Sequence, residues 1–122
     1  MENDAPNLAA ARYRARFVRV LDYVDAHPHD DLSIERLAAL AAFSAWHFHR
    51  QFAALFGLGV FRYVQLSRLK RASYELAFRR DRAVLEIALG NGYEGAEAFA
   101  RAFRKTLGQT PSTFRREPDW AA

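Results

Sequence analysis

The chain has 122 residues, 51% of them hydrophobic, which is enough for one domain with a sizeable core. It contains no cysteine, which excludes a disulfide and a cysteine-based zinc site. The net charge of +4 is unevenly placed, because residues 1–35 carry four Arg against seven acids and residues 36–122 carry fourteen Lys and Arg against seven. This basic body favours an anionic partner.

Helical periodicity dominates the chain and predicts an all-α fold without strands. Cap-forming residues stand where helices should begin, at Ser33, Ser44 and Thr110, and Gly57 and Gly108 stand where helices should end. Seven helices are expected, the fifth opened by Asp81, and they cover about residues 11–26, 34–41, 45–56, 60–79, 81–89, 96–107 and 111–116.

The predicted helices define the expected domain organisation. Residues 1–11 are expected to be a disordered N-terminal segment, residues 12–117 the folded domain, and residues 118–122 a C-terminal tail. No apolar run approaches the ~20 residues of a membrane span. The first ten residues are acidic rather than signal-like, so we expect a cytoplasmic protein with no membrane partner.

The second half of the chain repeats a pattern of the first half. Each copy holds Phe-x-Arg-x-Phe followed by Gly, displaced by 51 residues, and the paired members are Phe48, Arg50, Phe52 and Gly57, then Phe99, Arg101, Phe103 and Gly108. Upstream, Leu37-Ala38 corresponds to Ile87-Ala88 and Phe43 corresponds to Tyr93, at a displacement of 50 residues. The second turn therefore holds one extra residue.

Each copy reads as a short helix, a tight turn that opens with an aromatic residue, and a longer helix ended by Gly. This is the order of a helix-turn-helix, whose second helix enters the major groove of DNA. A helical solenoid would also give periodic Phe and Gly, but solenoids need about three or more units and this chain has two. The repeat therefore favours two DNA-binding units, with recognition helices at about residues 45–56 and 96–107.

Spacing assigns the two faces of each recognition helix. The predicted core positions are Phe48, Phe52 and Leu55, then Phe99, Phe103 and Leu107. N-terminal residues of a recognition helix meet base edges, so the candidates for base contacts on the opposite face are Trp46, His49 and Arg50, then Ala96, Glu97 and Arg101. Recurrence of Arg at the same helical position in both copies distinguishes this stripe from an ordinary solvated face.

Phosphate contacts should surround the base contacts, from basic side chains and from the capped helix N-termini. The candidates are Ser44, Arg68, Lys70, Arg71, Arg104, Lys105, Thr110, Arg115 and Arg116. The linking helix of some 19 residues should span roughly 28 Å at a rise of 1.5 Å per residue. Major-groove faces repeat about every 34 Å, so one monomer could place both recognition helices in adjacent major-groove segments.

The span from about Arg14 to Arg116 resembles the DNA-binding domain of the AraC/XylS family of bacterial transcription regulators. The matching stretches are SIERLAALAAFSAWHFHRQFAALFG, YVQLSRLKRASYEL and IALGNGYEGAEAFARAFRKTLGQTPSTFR. The resemblance implies seven helices and two helix-turn-helix subdomains joined by a long helix. It also implies transcriptional activation through contact with RNA polymerase, and it supports the same six base-contact candidates. A nucleoid-associated location in the cytoplasm is expected of such a regulator.

Other chemistry finds little support in the sequence. His47 and His49 diverge by about 200° on a helix and cannot share a metal, and no Gly-rich phosphate loop follows a strand. We therefore expect this chain to have no enzymatic activity, no cofactor and no metal site. The alternative function is a helical protein-interaction module, an anti-regulator without DNA binding, which would carry a contiguous apolar stripe instead of the paired Arg. Two organisations stay open. The chain is either a stand-alone regulator or part of a longer chain with an effector domain, as one subgroup of the resembling family carries.

Overall fold

The computed structural model describes the backbone of residues 4–121 and the side chains of residues 8–121. Within that range the chain forms seven α-helices and no strand, so the predicted all-α fold is confirmed. The helices are α1 (Asp4–Ala26), α2 (Ile34–Leu40), α3 (Ala45–Phe56), α4 (Val60–Phe78), α5 (Val84–Gly90), α6 (Ala96–Leu107) and α7 (Pro111–Arg116).

Two helix starts differ from the sequence prediction. The segment expected to be disordered is residues 1–11, of which residues 1–3 lie outside the described part of the chain. From Asp4 onward the chain is helical, because a proline in the first turn lacks only an N–H that is unpaired anyway and good helix formers follow it. At α5, Asp81 does not open the helix and pairs with Arg79 at 3.4 Å instead. The N-cap is Ala83, whose backbone N–H donates to the Glu86 carboxylate at 3.3 Å.

The side-chain caps predicted at Ser33, Ser44 and Thr110 are confirmed. The Ser44 hydroxyl accepts from the backbone N–H of His47 at 3.2 Å and begins α3. Thr110 does the same for the N–H of Thr113 and begins α7. Gly57 and Gly108 end α3 and α6 in the left-handed conformation, with φ of 76° and 80°.

The chain divides into two compact units. The first holds the residues up to His27 together with Asp31–Val64, and the second holds Pro28–Asp30 and the chain from Gln65 onward. In the first unit the core is built from α1, α2 and α3, joined by the start of α4, and its fully buried large side chains include Phe17, Val20, Val24, Leu37, Phe48 and Phe52.

The second unit has an equivalent core of its own. The rest of α4 takes the place that α1 has in the first unit, and the buried residues are Leu69, Ala72, Leu76, Ile87, Ala88, Phe99, Phe103 and Phe114. Phe17, Val20 and Val24 correspond to Leu69, Ala72 and Leu76 at a displacement of 52. The repeat is therefore a three-helix unit, one helix larger than the sequence pattern shows.

One core prediction is wrong. Leu55 is 40% exposed, and Phe56 packs in its place, with its ring centroid 4.7 Å from that of Phe52. The buried face of α3 follows steps of four residues, through Phe48, Phe52 and Phe56. Leu107, which is packed against the second core, stands 51 residues after Phe56, so the repeat itself identifies the correct residue.

Candidate nucleic-acid interface

In α3 the packing of one face determines which side chains the other face presents. Phe48 and Phe52 are fully buried, and the opposite stripe leaves Trp46, His49 and Arg50 exposed. Trp46 is 68% exposed, which excludes the half-buried core position that a Trp near a helix start often takes. The N-terminal half of α3 therefore presents one aromatic ring and two nitrogen-bearing side chains on one surface.

Trp46 and Arg50 are paired within this stripe. The guanidinium carbon of Arg50 lies 4.7 Å from the ring centroid of Trp46, one helical turn away. Among the described residues Arg50 has no carboxylate partner. Its five N–H donors, which lie in the plane of the guanidinium group, therefore remain available, and the Trp46 ring restricts where that group can lie.

The corresponding stripe of α6 has a different chemistry. Phe99 and Phe103 are buried as predicted, and Ala96, Glu97 and Arg101 are exposed. Glu97 and Arg101 form an ion pair at 3.7 Å, with side chains that are 91% and 73% exposed. Such a solvated pair contributes little to stability. It does place a negative charge beside the one exposed Arg in the N-terminal half of α6.

The candidates for phosphate contacts differ in whether their side chains are free in solvent or already paired within the protein. Lys70, Arg104 and Lys105 are exposed, and the last two lie in the final turn of α6, where the helix dipole favours positive charge. Arg71 forms an ion pair with Glu75 at 3.7 Å. Arg116 is exposed and makes a marginal contact of 3.5 Å with the Thr113 hydroxyl.

Two of the phosphate candidates are part of the fold. Arg68 donates from Nε to the carbonyl oxygen of Pro28 at 2.8 Å and from Nη2 to that of Asp30 at 3.0 Å. Burial there lowers its pKa from the usual value. Arg115 donates to the carbonyl oxygens of Leu76 and Arg79 at 3.0 and 3.2 Å, which satisfies the last turn of α4.

Sequence reasoning missed Arg16, which is half-buried on α1 and bonds to the turn between α2 and α3. The signal that would have pointed to it is the repeat, since Arg16 stands 52 residues before Arg68 and at the same place in its unit. The displacement of 52 residues between Arg16 and Arg68 is hard to see in the sequence, because the core residues beside each Arg differ in type between the two copies.

No helix in the described part of the chain combines the length and apolar character that crossing a membrane requires. Among the side chains of residues 8–121 there is also no group of three or more positioned to hold a metal ion. His47, one of the two histidines at the start of α3, is half-buried with Nε2 at 3.2 Å from the Tyr13 hydroxyl. Only His49 of that pair faces solvent.

Comparison with known proteins agrees with this geometry. Residues 37–117 match a family described as a helix-turn-helix domain. The chain is 34% identical over 103 residues to the right origin-binding protein of Escherichia coli strain K12, a match that covers 84% of this chain and 35% of that protein. The chain thus spans about a third of the length of this curated relative.

Two solved structures share the fold. The DNA-binding domain of the global transcriptional factor AdpA, determined in complex with a target DNA, is 29% identical with a TM-score of 0.75, covering 84% of this chain and 96% of that one. A transcriptional regulator from Chromobacterium violaceum, described as containing an AraC-type DNA-binding domain, has a TM-score of 0.80 at 20% identity, covering 89% of this chain and 96% of that one.

Proposed function

Because the chain belongs to the AraC/XylS family of DNA-binding transcription regulators, we propose that it binds double-stranded DNA sequence-specifically through α3 and α6. The observation that carries the proposal is the equivalence of the two helices. Each buries a pair of Phe on one side and exposes an Arg, Arg50 or Arg101, at the same position on the other. An ordinary solvated surface has no reason to repeat this position.

The side chains of α3 supply the stronger base readout in this proposal. Arg50 can donate two parallel hydrogen bonds to O6 and N7 of a guanine, and His49 can bond to a base edge beside it. Trp46 presents an apolar face, which suits a thymine methyl group, and its contact with the Arg50 guanidinium at 4.7 Å limits where that group can lie. Together the three side chains present an apolar ring, an imidazole and a guanidinium group within one helical turn or so. Such a set can discriminate between base pairs, because base pairs differ in the donors, acceptors and methyl groups that they expose.

The side chains of α6 supply a weaker readout. Arg101 can also bond to a guanine, but it then gives up part of its pairing with Glu97. Glu97 can accept from the amino group of a cytosine, and Ala96 can contact a thymine methyl group. Glu97 is repelled by the phosphates, so it is tolerated only where it meets a base donor or solvent.

Phosphate contacts would fix the register of both helices. We assign them to the exposed cations Lys70, Arg104, Lys105 and Arg116, to Arg71 once it leaves Glu75, and to the helix N-termini at Ser44 and Thr110. Arg68 and Arg115 are assigned to the fold instead, because their guanidinium groups already bond to carbonyl oxygens.

The proposal places α3 and α6 in neighbouring major-groove segments of one duplex. The linking helix α4 has 19 residues, which is roughly 28 Å at the usual rise per residue. That length is close to the ~34 Å period of the groove. A monomer would then read two half-sites about one turn apart, and the site need not be palindromic.

The functions of the whole protein are also proposals, since the chain spans only part of its curated relative. We propose that it activates transcription through contact with RNA polymerase in the bacterial nucleoid, with any effector domain on a longer chain. The alternative, a protein-interaction module without DNA binding, is disfavoured because Arg, His and Glu separate the apolar members of the exposed stripes, Trp46 and Ala96. The stripes therefore form no contiguous apolar surface.

A salt-dependent gel shift tests the proposal. The chain should shift a subset of fragments from its own genome, and affinity should fall steeply between 50 and 200 mM salt. The matched comparison is Arg50→Ala against Arg19→Ala. Both remove an exposed Arg, but Arg19 lies on α1 outside the stripes. Equal loss of selectivity in both variants would contradict the assignment of α3.

A further inference from the structure

The turn between α2 and α3 adopts a backbone conformation that its residue disfavours. Ala42 has φ of 61°, and it is the only non-glycine residue with positive φ among those described. The equivalent residue of the second unit is Gly92, with φ of 86°. In an L-residue with a Cβ the left-handed region is sterically unfavourable, whereas Gly enters it at no such cost.

Apart from this residue the two turns have the same backbone hydrogen bonds. The N–H of Phe43 donates to the carbonyl of Ala38 at 2.9 Å, and the N–H of Tyr93 donates to that of Ala88 at 3.0 Å. The first turn thus keeps the same conformation with a less suitable residue. Something outside the turn must offset the cost.

Arg16 of α1 supplies that stabilisation. Its Nε donates to the carbonyl oxygen of Ala41 at 2.8 Å, and its Nη2 donates to that of Ala42 at 2.7 Å. Its guanidinium carbon lies 3.7 Å from the ring centroid of Phe43. One planar fork therefore holds three consecutive residues of the turn, and two of its contacts are charge-assisted hydrogen bonds.

The second unit uses the equivalent Arg differently. Arg68 bonds to the carbonyls of Pro28 and Asp30, and its guanidinium carbon would lie 2.8 Å from a Cβ placed on Gly92. It packs on the turn, but none of its hydrogen bonds goes to the turn carbonyls. The second turn obtains its conformation from Gly92, and the first obtains it from Arg16.

We propose that Arg16 is a positioning residue for DNA recognition, and this rests on the proposed function of α3. The turn ends at Phe43, and Ser44 then caps α3, so the turn sets the direction in which α3 leaves. Phe43 also stacks on Phe17 at 5.2 Å, which ties the turn to the core of the first unit. By holding Ala41 to Phe43 in one conformation, Arg16 fixes how Trp46, His49 and Arg50 meet the groove.

A double-mutant cycle tests the proposal, with Arg16→Gln, Ala42→Gly and their combination. Discrimination is measured separately at the half-sites assigned to α3 and α6, by competition with single-base variants of a selected site. A good Arg–guanine pair discriminates by about tenfold to a hundredfold, so a misaimed α3 should lose about three- to tenfold. We expect that loss only at the α3 half-site, with the salt dependence unchanged. Ala42→Gly should restore at least half of it, because glycine keeps the turn without the fork.

Two further variants separate positioning from charge. Arg16→Lys keeps the charge but loses the fork, so it should behave like Arg16→Gln if Arg16 positions the turn. Rescue by Lys, or weaker binding to all DNA alike, would show a phosphate contact and overturn the proposal. Arg19→Gln removes a cation from the exposed side of α1 and should change neither half-site.

Amide hydrogen exchange gives a readout without DNA, so the inference can fail or hold independently of the proposed function. Arg16→Gln should speed exchange at the Phe43 amide by about tenfold or more and leave the Tyr93 amide unchanged. In the Ala42→Gly background the same substitution should have a smaller effect. Equal acceleration in both backgrounds, or none in either, would overturn the proposal.

Discussion

Replacing Arg50 and Arg101 one at a time should show that the two recognition helices read DNA unequally. A bidentate Arg–guanine pair discriminates against the wrong base by about 1–3 kcal/mol. The guanidinium carbon of Arg50 lies 4.7 Å from the ring centroid of Trp46, and no carboxylate among the described residues pairs with it. Arg101 has Glu97 at 3.7 Å, a solvated pair worth about 0–1 kcal/mol that a bond to guanine would partly displace. We therefore expect discrimination at the Arg101 half-site to be lower by up to about 1 kcal/mol, or roughly fivefold.

The assay is competition binding with every single-base variant of the selected site. Arg50→Ala should reduce discrimination in its half-site by about tenfold or more and leave affinity for unrelated DNA nearly unchanged. Arg101→Ala should have the smaller effect, in the other half-site. Equally sharp half-sites in the parent protein, or an unchanged preference after Arg50→Ala, would refute the reasoning.

Glu97 provides an internal test of the same unequal pair. Glu97→Gln removes a charge that the phosphates repel and frees Arg101 from its ion pair. We expect higher affinity for all DNA together with a broader preference at the α6 half-site, measured on the same set of site variants. The matched substitution Glu94→Gln, at an exposed position of the preceding turn, should leave the preference as it is. Lower affinity of Glu97→Gln for unrelated DNA would contradict the repulsion argument.

Four further predictions concern stability and phosphate binding. Phe52→Ala or Phe103→Ala should each lower the free energy of unfolding by about 3–5 kcal/mol, measured by heat or denaturant. A variant that melts like the parent would show that the buried and exposed faces of its helix are assigned the wrong way round. Lys70→Ala should weaken binding to specific and unrelated DNA alike and make the salt slope shallower by about one unit, whereas a loss confined to the specific site would argue against a phosphate contact. Gly92→Ala should destabilise by at least about 2 kcal/mol, since it adopts positive φ and its Cβ would lie 2.7 Å from the Pro28 carbonyl oxygen. Burial and the nearby Asp25 raise the pKa of Tyr63 to about 12, so the folded state keeps that proton longer than the unfolded chain. Stability should therefore fall as the pH rises from about 10 to 12, and Tyr63→Phe should flatten that fall in a melting series.

The sequence predicts most strongly what depends on local periodicity. Burial of Phe48 and Phe52, and exposure of Trp46 and Arg50, follow from the spacing within one helix and are confirmed. Helix ends that carry a side-chain cap or a left-handed Gly, such as those at Ser44 and Gly57, are also confirmed, because a cap depends only on residues within a few positions of the helix end. The DNA contacts assigned to these side chains remain predictions.

What the sequence could not predict depends on partners distant along the chain. Arg68 and Arg115 look like free cations in the sequence, yet they bond to carbonyls 36 to 40 residues away. The role of Arg16 is not evident from the sequence, because its partners lie 25 and 26 residues later, in a turn whose residue with positive φ is an ordinary Ala. The identity of a residue as Arg does not reveal whether its N–H donors face solvent or backbone carbonyls. That depends on which carbonyls the fold leaves unpaired beside it.

The most direct test of the central claim is selection of binding sites from a random DNA pool with the parent chain and with Arg50→Ala. The account predicts that the parent enriches a motif of two half-sites about one helical turn apart, the first sharper than the second. Arg50→Ala should lose the sharper half-site and retain the other. A parent chain that enriches no motif, or a single half-site that Arg50→Ala leaves intact, would contradict the account.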